Sequence, residues 1–104
     1  MPSVKPNVEK SPMKDWPFDE LKNVAAMSMT QVIRDGQPIL FVSHDAEDGM
    51  WQFLSGGTVC MADAMIVGLG EVYELDSTIG ELADLPLGWT AERSSPGQCW
   101  QRKQ

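Results

Sequence analysis

The chain has 104 residues, of which 42% are hydrophobic and 22% charged, and its 15 acidic and 8 basic side chains give a net charge of −7. This length accommodates one domain with a single core, and the composition excludes a disordered or fibrous chain. Clusters of Lys and Arg recognise nucleic-acid phosphates and anionic membranes, so a negative charge of this size excludes both as main partners. The short apolar runs and the lack of a secretory signal predict a cytoplasmic protein without a membrane helix.

The acidic residues are concentrated in the middle of the chain. Between Arg34 and Arg93 there are eleven acidic residues and no Lys or Arg. The basic residues lie mainly towards the two ends of the sequence. The folded body is therefore expected to present a more negative surface than the total charge suggests.

The first third of the chain is predicted to contain a leader and the start of the domain. Residues 1–15 carry three prolines among polar side chains, so we assign them to a flexible N-terminal leader and 16–104 to a single domain. Asp19–Lys22 is typical of a short helical turn and Val24–Met27 of a strand. A further helical turn is expected around Met29–Val32.

Two aromatic and β-branched runs predict a hairpin. Pro38–Ser43 and Met50–Leu54 have strand composition, and the polar segment His44–Gly49 between them supplies the loop. Alternation places Trp51 and Phe53 on one face of the second strand, and we expect that face to belong to the core.

The second half of the chain predicts one more strand and then a helical region. Ala64–Leu69 is apolar at every position, which favours a central strand covered on both faces. Candidate caps for a second helix start are Asp76, Ser77 and Thr78, and Gly80 weakens the prediction of one continuous helix. A helical face is predicted from apolar residues at intervals of three and four, namely Val72, Leu75, Ile79 and Leu82.

Two short strands are expected near the C-terminus. Pro86 and Gly88 end the helical region, Trp89–Arg93 resumes strand alternation, and Gln98–Arg102 follows a turn. Strands, helix and strands in this order predict a compact single α+β domain, with a mainly antiparallel sheet packed by one or two short helices.

No residue pattern points to catalysis, a cofactor or a metal ion. His44 is the single histidine, which leaves one candidate base for a histidine-dependent mechanism and few ligands for zinc. The glycine spacings match no nucleotide-binding motif. Cys60 and Cys99 are far apart, so we expect separate, buried or half-buried thiols rather than a disulfide. We therefore assign no catalytic residue, no cofactor and no metal ligand.

Five carboxylates that we expect to be exposed are the candidate partner-binding residues. They occur in the hairpin loop and on the predicted helix, where an acidic surface would complement a basic protein. These residues are Asp45, Glu47, Asp48, Glu71 and Glu74.

Three stretches in a fixed order carry a family resemblance. They are Ile39–Ser43, then Asp48–Phe53 with Gly56, then Leu85–Arg93 with its Leu-Pro-x-Gly sequence. Over about residues 20 to 103 the chain resembles a small bacterial family of unknown function that is grouped with polymorphic-toxin immunity proteins of class thirty-three. The resemblance implies a compact α+β domain and supplies no enzymatic residue. Some relatives carry a stretch rich in Gly, Asp and Glu after the Trp-x-Phe strand, whereas the corresponding segment here is neutral.

The sequence thus predicts a non-catalytic, cytoplasmic protein-binding module of the immunity-protein type. Its acidic surface would bind a basic partner, such as the cleft of a nuclease toxin. An alternative is a small enzyme or metal-binding domain that uses carboxylates near His44. A third is a housekeeping domain that forms a homodimer through an open sheet edge. We expect a monomer or a homodimer.

Overall fold

Six short strands and several helical segments follow one another along the chain. The computed structural model describes residues 16–57 and 60–104, so the predicted leader lies outside the described residues. The strands are β1 (Ala25–Met29), β2 (Phe41–His44), β3 (Trp51–Leu54), β4 (Ala64–Gly68), β5 (Thr90–Glu92) and β6 (Gln101–Lys103). The α-helices are α1 (Thr30–Ile33) and α2 (Leu69–Leu75), and two segments of 3-10 helix span Met61–Asp63 and Ser77–Leu82.

All six strands join in one sheet with the order β4-β1-β3-β2-β5-β6. The predicted hairpin is confirmed as β2 and β3, with His44 opposite Trp51 and Phe41 opposite Leu54. β1 runs parallel to β3, because α1 and β2 return the chain between them, and the other pairings are antiparallel. The predicted compact α+β domain with a mainly antiparallel sheet is confirmed.

One face of the sheet carries the hydrophobic core. Val42, Trp51 and Phe53 lie on this face and are buried together with side chains from α2 and the 3-10 helix that follows it. Burying each such side chain stabilises the fold by about 1.5–3 kcal/mol. The hydroxyl of Ser28, also buried, donates a hydrogen bond of 2.7 Å to the carbonyl of Phe53 and so keeps its polar atom satisfied.

Arg93 is a buried cation at the other end of the core from the hairpin turn. Its guanidinium donates to the carbonyl oxygen of Ile39 at 2.9 Å, to Asp76 Oδ2 at 2.7 Å and to Thr78 Oγ1 at 3.1 Å. It also stacks over the Trp100 ring, 4.1 Å from the centroid. These contacts tie β5 to the segment before β2 and to the 3-10 helix, which compensates for the loss of water around the charge.

The prediction that Ala64–Leu69 forms a central strand is wrong in its position. β4 exists, but among the strands of the described residues it lies at the edge of the sheet and pairs with β1 alone. Ile66, which faces away from the core beside Met27, is 62% exposed. An apolar run of five residues fits a short edge strand as well as a central one, and only the pairing partners distinguish them.

The helical region is interrupted, which makes the predicted position of Leu75 wrong. Val72, Ile79 and Leu82 are buried as predicted, whereas Leu75 is 55% exposed. Asp76 adopts an extended conformation (φ −151°, ψ 95°), so the 3.6-residue period does not continue across it. Its side chain accepts a hydrogen bond from Thr78 N at 3.0 Å, which confirms it as the cap of the second helical segment.

Three local predictions also need correction. Asp19–Lys22 forms turns rather than a helical turn, and its backbone is tied to neighbouring segments instead. The last strand is Gln101–Lys103, later in the chain than predicted, whereas α1 and β5 fall where they were expected. Cys60 and Cys99 are separate thiols as predicted, but both are exposed rather than buried. In the described part of the chain, each helix is too short or too polar to cross a bilayer.

Candidate functional site

Four chain segments meet at one end of the sheet. Because β1 is parallel to β3 and Met27 pairs with Gln52, the two strands begin at the same end of the sheet. The hairpin turn lies there, and so does the start of α2, since Gly68 at the end of β4 pairs with Ala25 at the start of β1. We call this surface the acidic end and define it as residues 19–24, 45–50, 68–74 and 85–89.

Direct contacts hold these segments together. Gly70 N donates to the carbonyl of Lys22 at 2.8 Å, which joins the start of α2 to the segment before β1. Gly88 N donates to the carbonyl of His44 at 2.6 Å, which joins the 85–89 segment to the end of β2. Gly88 also has a φ of +85° and lies against Ala46, where a Cβ would stand 3.5 Å from that side chain. The positive φ favours glycine at this position, whereas the distance to Ala46 would allow a Cβ.

The acidic end carries most of the uncompensated charge of the described residues. It has seven carboxylates and one cation, Lys22, whose Nζ lies 5.7 Å from the centroid of the Trp16 ring. Within residues 16–57 and 60–104, six of the carboxylates have no cationic partner at ion-pair distance, and Glu20 has only the His44 imidazole. The seven are Asp19, Glu20, Asp45, Glu47, Asp48, Glu71 and Glu74.

The hairpin carboxylates are placed by the geometry of the turn. Asp45 Oδ1 accepts from Glu47 N at 2.7 Å, and Asp48 Oδ1 accepts from Met50 N at 2.9 Å. Gly49 closes the turn with φ +73° and donates to the carbonyl of Asp45 at 2.9 Å. Asp45 and Asp48 therefore shape the loop, while the Glu47 side chain is exposed and has no hydrogen bond or ion pair to the other described residues.

The helix carboxylates are also exposed but differ in what they do. Glu71 Oε1 accepts from Gly68 N at 2.8 Å, which satisfies a free amide where β4 passes into α2. Glu74, one turn further, is exposed. Both line a shallow cavity of about 400 Å³ with Lys22, Asn23 and the glycines of this corner. No recorded bond joins these two carboxylates to the hairpin carboxylates, although both groups lie at the same end of the sheet.

His44 is enclosed between three of the four segments. It ends β2 instead of beginning the predicted loop, and its side chain is only 13% exposed. Its ring stacks on Trp51 with centroids 3.9 Å apart and planes 11° apart. Nδ1 lies 2.7 Å from the carbonyl oxygen of Leu85, which can only accept, so Nδ1 carries a hydrogen. Nε2 lies 3.7 Å from Glu20 Oε2, which also accepts from Trp51 Nε1 at 3.0 Å.

This arrangement does not resemble a catalytic or metal centre. Both nitrogens of His44 face acceptors of the protein itself, so neither is available to abstract a proton from a substrate. Four cavities of the described part of the molecule are lined by residues other than His44. Among residues 16–57 and 60–104, no three His, Cys, Asp or Glu side chains are grouped so that they hold a metal ion.

Two exposed leucines border the carboxylates. Leu21 is 66% exposed in the segment before β1, and Leu87 is 56% exposed in the segment after Pro86. Apolar side chains among charged ones are the usual composition of a protein-binding surface, in which a desolvated centre is surrounded by a polar rim.

The sequence-based site was therefore incomplete. Asp45, Glu47, Asp48, Glu71 and Glu74 all lie at the acidic end, but Asp19, Glu20 and the two leucines belong to the same surface and were not identified. Their segments are separated by long stretches of chain and share no spacing, so no sequence signal marks them as neighbours.

Searches against protein-family models, against curated proteins and against solved structures found no match to this chain.

Proposed function

We propose that this protein is a non-catalytic binding module whose acidic end docks on a basic surface of a partner protein, in the manner of an immunity protein. The proposal rests chiefly on one observation, the collection of seven carboxylates and one lysine at one end of the sheet. The resemblance to immunity proteins supports the same conclusion from the sequence.

Charge and apolar surface have separate tasks in this proposal. Unpaired carboxylates attract a cationic partner over the Debye length, which speeds association and selects against acidic proteins. The side chains of Leu21 and Leu87 then lose water on contact and slow dissociation. A nuclease is a suitable partner class, because its cleft must be cationic to bind a phosphate backbone.

Two matched charge variants test the proposal. Glu47→Gln with Glu74→Gln removes two charges from the acidic end, and Asp35→Asn with Glu81→Gln removes two exposed charges from elsewhere. The chain and each variant are co-expressed with the products of neighbouring genes, and complex formation and relief of toxicity are measured. At low salt, we expect the first variant to lower the association rate by about tenfold and the second to change it little.

Leu87→Ser and Leu75→Ser supply a second matched pair, because the two leucines are 56% and 55% exposed but only Leu87 lies at the acidic end. We expect the first change to speed dissociation and the second to leave it unchanged. Equal effects of the two charge variants, or recovery of no neighbour-encoded partner in a stoichiometric complex, would contradict the proposed function.

A further inference from the structure

Two Asp-Gly pairs of the chain lie in turns of the structure. Asp35–Gly36 follows α1, and Asp48–Gly49 belongs to the hairpin turn. Glycine has no Cβ, so its amide nitrogen is open to approach by the side chain of the preceding residue. Asp-Gly is for this reason the pair in which a carboxyl group condenses most readily with the backbone amide that follows it.

The condensation needs no reagent other than water. The glycine nitrogen attacks Cγ of the aspartic acid, a C–N bond forms, and the carboxyl OH leaves with the amide hydrogen as one molecule of water. The product is a five-membered succinimide ring, which water then opens at either carbonyl. Opening at Cγ restores aspartate. Opening at the main-chain carbonyl gives isoaspartate, in which the main chain runs through Cβ and Cγ. The net reaction is an isomerisation without a change in mass.

In the hairpin turn, hydrogen bonds hold both reacting groups. Gly49 N donates to the carbonyl of Asp45 at 2.9 Å, which directs its hydrogen away from the neighbouring side chain. Asp48 Oδ1 accepts from Met50 N at 2.9 Å, which fixes the orientation of the carboxylate. Condensation at this pair therefore requires local opening of the turn.

In the turn after α1, the bonds lie on either side of the reacting groups. Asp35 N donates to the carbonyl of Thr30 at 3.2 Å, and Gln37 N donates to the carbonyl of Gln31 at 2.8 Å. Both Asp35 and Gly36 are exposed. Among residues 16–57 and 60–104, neither Gly36 N nor the Asp35 carboxylate has a recorded hydrogen bond or ion pair. Condensation here needs no bond to open.

We propose that Asp35–Gly36 is a site of self-modification, at which the folded chain isomerises to isoaspartate, and that the bonds of the hairpin turn protect Asp48–Gly49. The modification adds one carbon to the main chain between α1 and Ile39, whose carbonyl accepts from Arg93. β1 begins at the acidic end and leads into α1, so this turn lies at the opposite end of the sheet. The inference is therefore independent of the proposed function.

Storage of the isolated protein in neutral buffer over several weeks tests the proposal. Samples are digested with a protease that cleaves before aspartate but not before isoaspartate, and electron-transfer fragmentation identifies the modified residue. We expect isoaspartate to appear about tenfold faster at Asp35 than at Asp48, because each hydrogen bond that must open slows the reaction by about two- to tenfold. Equal rates at the two pairs, or a faster reaction at Asp48, would overturn the proposal.

Two controls separate the effect of the fold from that of the Asp-Gly sequence. In concentrated urea the turn bonds are absent, and the two pairs should isomerise at similar rates. If the difference between the pairs persists in urea, the turn bonds are not its cause. Asp35→Glu keeps the negative charge but would have to form a six-membered ring, which closes far more slowly. It should remove the modification after α1 and leave the rate at Asp48 unchanged. Unaltered isomerisation of this turn in Asp35→Glu would contradict the assigned site.

Discussion

Two regions of this molecule differ in whether their acidic residues are paired with cations. On the side formed by the second 3-10 helix, β5 and β6, three of the four carboxylates meet a cation: Asp76 with Arg93 at 2.7 Å, Asp84 with Arg102 at 2.8 Å and Glu92 with Lys103 at 3.0 Å. The fourth, Glu81, is exposed and has no ion pair among the described residues. We call this the ion-paired side. At the acidic end, seven carboxylates share one lysine, and those with recorded bonds use them mostly on backbone amides of their own turn.

The difference separates charges that hold the fold from charges that remain available to a partner. Of the five Lys and Arg residues in the described part of the chain, three are used on the ion-paired side. A protein under selection for stability alone would gain from distributing cations more evenly, since like charges repel. This uneven distribution is the observation on which the proposed docking function rests.

The largest expected effect on stability comes from removing the cation Arg93 from the ion-paired side. Arg93→Met keeps much of the aliphatic stem but leaves the Ile39 carbonyl and Asp76 Oδ2 without the Arg93 donor, so we expect a loss of about 3–5 kcal/mol in the free energy of unfolding. Urea titration measures it. The matched control is Arg34→Met, at an exposed cation without a recorded partner, which should change stability by less than about 0.5 kcal/mol. Similar losses in both variants would contradict the assigned role of Arg93.

The next largest expected effect distinguishes Glu71 from Glu74, the two helix carboxylates of the acidic end. Glu71→Ala leaves Gly68 N without its acceptor and should cost about 1 kcal/mol in urea unfolding, whereas Glu74→Ala should stay within about 0.5 kcal/mol. Glu71→Gln retains an acceptor oxygen and should recover most of the loss. If Glu74→Ala proves the more destabilising change, the distinction between a structural Glu71 and an available Glu74 fails.

A smaller effect concerns repulsion within the acidic end. Glu47→Gln with Glu74→Gln relieves like-charge contacts and should raise stability at low salt by about 0.2–0.5 kcal/mol. At about 1 M NaCl, where the Debye length is about 3 Å, the gain should disappear. A stability loss at low salt would show that these carboxylates have favourable partners within the fold.

The smallest expected effect on stability concerns the exposed ion pair of Asp84 and Arg102 on the ion-paired side. The hydrogen bond from Arg102, and then its positive charge, hold the pKa of Asp84 below its ordinary value. A carboxyl whose pKa is lowered by folding stabilises the protein above its unfolded-state pKa, and this stabilisation is lost as pH falls through the folded-state pKa. Asp84→Asn should therefore lower the urea midpoint slightly at neutral pH and leave it unchanged in strong acid. A difference that persists in strong acid would assign the effect to something other than this ionisation.

Local parts of the fold were predictable because local residue types determine them. The hairpin follows from two β-branched and aromatic runs around a turn of Asp and Gly. Asp is a preferred residue at helix N-caps, which made Asp76 a candidate cap. The edge position of β4 and the exposure of Leu75 were not predictable. Strand order depends on pairing between segments that are distant in sequence. The helical period cannot predict which side chains are buried once the helix is interrupted, as it is at Asp76.

The acidic end was predictable only in part for the same reason. Its five identified carboxylates stand out as charges without basic neighbours in sequence, yet Asp84 shares that property and is paired with Arg102 in the fold. Glu20, Leu21 and Leu87 come from segments whose composition is unremarkable. They become neighbours because β1 and β3 begin at the same end of the sheet.

By itself the sequence determined the size of the domain, its α+β class, the hairpin and the excess of acid over base, since composition and short-range periodicity carry that information. Only the tertiary structure decided which acids Arg93, Arg102 and Lys103 neutralise and which remain unpaired. It also decided that His44 lies buried between Trp51 and Glu20 rather than in solvent. Electrostatic interactions act through space over a few ångströms, and distance along the chain does not predict distance in the fold.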